Sequence, residues 1–330
     1  MRIAMSTACK QAHSLLNFPG SGISMESFNV RRPKNTVVFV MGATGTGKSK
    51  LSIDLATHFR AEIINSDKMQ VYEGLDIATN KVTEEEMCGI PHHLLGVVHP
   101  DADFTAEDFR RAASLAVESI VSRDKLPIIV GGSNSYIEAL VEGGGREFGS
   151  KYDCLFLWVN VSLPVLDKFV SDRVDGMVEA GLVDEIRKVF KPEADYSRGI
   201  RKAIGVPEFD GFLRAEAAAT ADEETMAGLL GAATDDVKVN TCKLVRCQLE
   251  KILRLRDVRK WNLHYLDATQ VFERQGKEAG EAWEKLITGP AKEYVRKFRY
   301  RGIEDRAVAT AAAPTIKTPV MSSAVAAATR

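Results

Sequence analysis

Eight residues constrain this chain more than any others: Gly42-Ala43-Thr44-Gly45-Thr46-Gly47-Lys48-Ser49. The apolar run Thr36–Met41 (TVVFVM) leads into them. A helical pattern leads out, Ser49–Phe59, with Leu51, Leu55 and Phe59 on one stripe. Strand, glycine loop and helix together form the context in which Gly-x4-Gly-Lys-Ser binds phosphate. Glycines let backbone N–H groups converge on phosphate oxygens, and the helix N-terminus adds partial positive charge. Lys48 neutralises phosphate charge, and Ser49 is placed to ligate Mg²⁺. Gly42, Thr44, Gly45, Thr46, Gly47, Lys48 and Ser49 are therefore the residues expected to hold a di- or triphosphate.

Further runs of strand length are Ala61–Asn65, Leu126–Gly131, Cys154–Val161 and Leu263–Asp267. They show little alternation, as strands buried on both faces do. Helical patterns lie between them, among them Phe104–Arg123, where Asp108 suits the positive helix end. Alternating strands and helices imply βαβ units. The expected fold is α/β, a P-loop NTPase-like parallel sheet flanked by helices. Between Ser162 and Asn240 the strand signal disappears, which predicts a small inserted helical domain. Its later part, running on through "NTCKLVRCQLEKILRL", reads as helical hairpin material with glycine breaks. The expected division is a core of 36–161 and 241–300 with an insertion of 162–240.

The ends differ in character. Before Met41 the only acidic residue is Glu26, among scattered Ser, Arg and Lys. Residues 1–35 read as a transit peptide or a disordered terminus, hence as plastid import or, without import, a cytoplasmic location. Residues 301–330, rich in Ala, Thr and Ser, read as a disordered tail. A balance of 44 basic and 45 acidic residues disfavours a broad nucleic-acid surface. Five scattered cysteines lack zinc spacing. No apolar run approaches the ~18 residues of a membrane helix.

The loop leaves the fate of the phosphate open. A switch or motor enzyme wants a second strand ending in aspartate. Here Leu126–Gly131 ends in "GGSNSY", and Asp267 closes only a weak strand. Asp67, in "IINSDKMQVYEGLDIATNK", stands just beyond the second strand, at the edge where α/β sites form. An aspartate there also suits a helix N-cap. His92 and His93 are adjacent, so they point apart on any regular element and read as structural.

The blocks "GATGTGKSKLSIDLA", "AEIINSDKMQVYEGLDIATNK", "GIPHHLLGVVHP", "FTAEDFRRAA", "PIIVGGSNSY" and "GIRKAIGVPEFD" resemble, in order, those of the plant adenylate isopentenyltransferases. These are relatives of the tRNA dimethylallyltransferases. "WEKLITGPAKEYVRKF" is similar to the family's final helix. The resemblance implies transfer of the dimethylallyl group from dimethylallyl diphosphate to N6 of adenine in AMP, ADP or ATP, the first step of cytokinin biosynthesis, with Mg²⁺ as cofactor. It implies Asp67 as the base and Ser133 beside the diphosphate or reacting centre. Asn65, Ser66 and Gln70 would line the adenine side, and Arg201, Lys202 and Lys243 would meet the acceptor's phosphates. The family's "NTC…RQ" helix has an arginine where this chain has Cys247. Arg246, one step earlier, is the expected substitute, although one step rotates a side chain by about 100°. A monomer is expected, with no nucleic acid or membrane partner. Two alternatives remain: a tRNA-modifying prenyltransferase and a P-loop small-molecule kinase.

Overall fold

The structure, a computed structural model, describes residues 34–299 apart from Ala194 and Thr220. The expected terminal segments lie outside the described residues except for Lys34 and Asn35, and Asn35 already opens the first strand.

Six strands form one parallel sheet: β1 Asn35–Met41, β2 Ala61–Asn65, β3 His92–His93, β4 Leu126–Val130, β5 Tyr152–Asn160 and β6 Leu263–Asp267. Their order is β3-β2-β4-β1-β5-β6. The expected strands form within two residues of their predicted ends. The sequence reading did not include β3, because a two-residue strand carries no periodicity. Val37–Met41 are fully buried, with Val38 and Val40 in one core layer and Val37, Phe39 and Met41 in the other. Coverage on both faces explains the unbroken apolar runs.

Helices cover the sheet: α1 Lys48–His58, α2 Ala106–Ser122, α3 Asn134–Glu142 and the short α4 Glu147–Lys151. A capping box starts α2: the Thr105 side chain accepts from Asp108 N–H, and the Asp108 carboxylate accepts from Thr105 N–H. Next come α5 Leu163–Glu179, α6 Leu182–Val189, α7 Asp210–Ala218 and the 35-residue α8 Glu223–Asp257. After β6 the chain adds α9 Thr269–Phe272, α10 Gly276–Trp283, a π-helical turn Glu284–Thr288 and a last helix, 289–299.

The insertion differs from expectation in one respect. Gly228 and Gly231 do not break the chain but lie inside α8, and the boundary expected between 240 and 241 also falls within it. Interior glycines cost about 1 kcal/mol each, which packing of Ala233, Val237, Val245 and Ile252 outweighs. The break lies earlier, where Ala219 turns left-handed at the end of α7.

A third core joins the insertion to the segment after β2. Val71, Tyr72 and Leu75 pack with Val174, Leu182, Ile186 and Phe209. Glu185 of α6 clamps the same segment, accepting from Ile77 N at 2.9 Å and Ala78 N at 2.8 Å. The residues following Asp67 are thus fixed from the helical side.

Candidate active site

Strand order sets the site. β1, β4 and β2 are neighbours, ending at Met41, Val130 and Asn65. Strand spacing of about 4.8 Å puts the Gly131–Ser133 loop between the phosphate loop and Asp67, which are about 10 Å apart. A cavity of about 710 Å³ opens over these three ends and is closed by α5 and α8. This is the carboxyl edge of the sheet, where the chain turns from one side of β1 to the other.

The loops pack too tightly for larger residues at two glycines. A Cβ on Gly131 would stand 2.4 Å from Ser66 Oγ, and one on Gly132 would stand 2.3 Å from Gln248 Nε2. Gln248 of α8 ties the loops together: its Oε1 accepts from Thr44 N at 2.7 Å, and its carbonyl accepts from Asn134 Nδ2 at 3.2 Å.

Thr44, Gly45, Gly47, Lys48 and Ser49 line the cavity. Gly42 and Thr46 support the loop from behind. Thr46 is fully buried, with its hydroxyl donating to Ala43 O, and Gly42 backs onto the Val159 carbonyl. Lys48 Nζ donates to Ala43 O at 2.6 Å. Burial lowers its pKa to about 8, with Asp67 acting against the shift and Arg173 adding to it. Arg173 of α5 donates to Thr44 Oγ1 at 3.1 Å, and its Nε is buried without a hydrogen-bond partner among the described residues. Burial lowers its pKa as well.

Asp67 both caps its own turn and lines the cavity. Oδ1 accepts from Met69 N at 2.9 Å and Gln70 N at 3.4 Å, capping the turn. Oδ2 lies towards Gly132. Ser133 Oγ accepts from Lys68 N at 2.9 Å. Asn65 and Gln70 line the cavity with their amides committed to backbone: Asn65 to Leu94 O and Asp67 N, Gln70 to Thr79 O and Asn80 O. Ser66 is not on the lining; it is fully buried behind Gly131.

Beyond the phosphate loop, of the expected cations Arg201, Lys202, Lys243 and Arg246, Lys202 alone reaches the cavity. Arg201 pairs with Asp101, and Lys243 donates to Asn240 Oδ1. Arg246 turns to Asp167 at 2.5 Å and does not take the place expected of it. The rotation of one helical step is the reason. The cavity face of α8 carries Val237, Thr241, Leu244 and Gln248, at helical spacing that skips 246. His92 lies on the lining, whereas His93 points away to Glu62 Oε2 at 2.7 Å. Asp267 caps Thr269.

An IPP transferase family model matches residues 70–151 and 144–252. Adenylate isopentenyltransferase 5, chloroplastic, of Arabidopsis thaliana is 59% identical over 285 residues, 86% of this chain and 85% of that protein. The chain belongs to the IPP transferase family. A second Arabidopsis thaliana relative, adenylate isopentenyltransferase 7, mitochondrial, is 50% identical over 90% of each chain. The solved tRNA delta(2)-isopentenylpyrophosphate transferase of Staphylococcus epidermidis superposes with a TM-score of 0.62. It is 25% identical, over 80% of this chain and 99% of that one.

Sequence reasoning on this IPP transferase missed Arg173 and Gln248 and gave Lys68, a polar neighbour of Asp67, no role; all three are on the lining. Arg173 carried a usable signal. Leu166, Val170, Arg173 and Met177 recur at i, i+4, i+7 and i+11, so an arginine interrupts a buried stripe. A charge on an apolar helix face needs a partner or a ligand. Lys68 sits 5.6 Å from the Tyr136 ring centroid, and its pKa is lowered by burial and then by the charges of Lys251 and Lys202.

Proposed function

We propose that this chain transfers the dimethylallyl group of dimethylallyl diphosphate to N6 of adenine in free AMP, ADP or ATP, releasing diphosphate and forming cytokinin precursors. The observation carrying this reading is the convergence of Lys48, Arg173 and Asp67 on one cavity.

The donor's diphosphate lies along the amides of the phosphate loop, with Lys48 and Arg173 against its oxygens. The allylic C–O bond breaks and its electron pair leaves with the diphosphate. Cations already in place in a buried site stabilise that developing charge with little reorganisation. The N6 lone pair closes the new C–N bond on the allylic carbon. The N6 proton passes to Asp67 Oδ2, held in line because Oδ1 is fixed by two backbone amides. Ser49, in the first turn of α1 and on the cavity wall, would hold Mg²⁺. When bound, the ion supplies further positive charge on the leaving group. Lys202 and Lys68, both on the lining, form the basic side suited to the acceptor's own phosphates.

The test incubates the purified protein with Mg²⁺, dimethylallyl diphosphate and either AMP, ADP, ATP or unmodified tRNA. N6-prenylated nucleotide is the expected product. Product on tRNA alone would favour the acceptor named for the Staphylococcus structure, and phosphorylated acceptor without prenyl product would make the chain a kinase. A monomer is the expected state, and light scattering at working concentration tests it. We place the protein in the plastid on the basic, acid-poor character of residues 1–35, and a fluorescent fusion of that segment should enter chloroplasts.

A further inference from the structure

The block "WEKLITGPAKEYVRKF" plays no part in the chemistry above, yet its first residue touches the phosphate loop. Trp283 ends α10 and is buried. A Cβ on Gly47 would stand 2.7 Å from its Cη2 and 2.9 Å from its Cζ3. Gly47 is the left-handed N-cap of α1, with φ of +87°, and receives no side-chain capping bond. The indole fills the space behind it.

The ring is anchored to the helix that Gly47 begins. Trp283 Nε1 donates to Asp54 Oδ2 at 2.6 Å, and Thr288 Oγ1 donates to the same oxygen at 3.0 Å. Lys50 Nζ lies 5.4 Å from the ring centroid. Gly47, Lys50 and Asp54 recur at i, i+3 and i+7, one face of α1, so the indole lies along its first two turns. In an α-helix, residues five apart point about 140° away from each other. The π-helical turn Glu284–Thr288 tightens that spacing toward one side and lets Trp283 and Thr288 share one carboxylate.

Gly47 therefore stands between two surfaces, the indole on one side and the cavity on the other. We infer that Trp283 is a positioning residue for the donor's diphosphate: it backs the phosphate loop at Gly47 and holds the loop amides and Lys48 towards the cavity. The C-terminal segment sets the geometry of a site that it does not line. This rests on the prenyl-transfer reading for its kinetic consequence, but the loop contact also governs the binding of inorganic diphosphate alone.

The test uses the full chain with Trp283→Leu, Trp283→Phe and Asp54→Ala. Readouts are calorimetric affinity for inorganic diphosphate, KM for each substrate and the far-UV spectrum. Trp283→Leu should weaken diphosphate binding and raise donor KM about tenfold, leaving acceptor KM within about twofold, since small misplacements of reacting groups are costly. Trp283→Phe, which keeps a ring behind Gly47, should recover to within about threefold of wild type. A folded Trp283→Leu protein with wild-type diphosphate affinity, or with equal shifts for both substrates, overturns the inference. Should Trp283→Leu not fold, Asp54→Ala carries the test, expected to bind diphosphate about threefold more weakly; unchanged affinity overturns it. A wild type that binds diphosphate but yields no prenylated nucleotide sinks the functional reading instead, and the inference then stands or falls on diphosphate affinity alone.

Discussion

Buried charge is handled in opposite ways at the two edges of the parallel sheet. Towards the N-terminal edge, Glu62 is nearly fully buried and accepts from Arg123 at 2.6 Å, Lys125 at 2.7 Å and His93 at 2.7 Å. Burial pushes its pKa up, but the bonds from Lys125, His93 and Arg123 pull it down further, to about 2. At the carboxyl edge, Lys48 and Arg173 are half-buried and, among the described residues, hydrogen-bond only to a carbonyl and a hydroxyl, and desolvation lowers both pKa values. The first cluster is neutralised within the fold. The second is left for an anion to complete. Uncompensated buried charge is costly, and its concentration in one cavity distinguishes a binding site from a structural ionic cluster.

This contrast can be broken in several ways. Asp67→Ala should slow turnover by ~10² or more while diphosphate still binds; near-normal product formation would remove Asp67 as the proton acceptor. Glu62→Ala strands the surrounding cations and should cost about 3 kcal/mol in urea unfolding, with product per folded molecule unchanged. Arg173→Met should have the opposite sign: a rate about 10² lower, with an unfolding midpoint equal to or above wild type. A lowered midpoint would mean that Arg173 is compensated like Glu62.

The two regions also respond to opposite ends of the pH scale. Lys48 loses its proton as pH rises through about 8, so kcat/KM for the donor should fall on the alkaline side, approaching tenfold per unit. A flat profile to pH 10 would show that Lys48 does not bind the donor as a cation. Glu62 has a folded pKa below its ordinary value of 4.5, so its stabilisation is present above that pH and is lost as pH falls towards about 2. The smallest expected effect belongs to Cys247→Arg. Cys247 lies between Leu244, on the lining, and Lys251, at i+3 and i+7. An arginine there should lower donor KM about threefold, and an unchanged value would show that Arg173 suffices.

How much of the site could be read in advance depended on sequence distance. The phosphate loop and the turn after β2 are local: Gly47 starts α1, and Asp67 caps its own next residues. Such features follow from residue type and spacing over a few positions. Lysines and arginines were harder to place. Arg201, Lys243 and Arg246 carry the same charge as Lys202 and Arg173, but each is engaged away from the cavity.

The chain's local chemistry established the parallel α/β core, the phosphate loop and the carboxylate opposite it, because glycine turns, buried strands and caps are specified by near neighbours. Packing alone brought Arg173 across 129 residues and Gln248 across 204 to Thr44, and seated Trp283 behind Gly47. The reason is physical: where a long cationic or aromatic side chain ends up depends on which distant surface can bury or bond it, and no short window of sequence contains that surface.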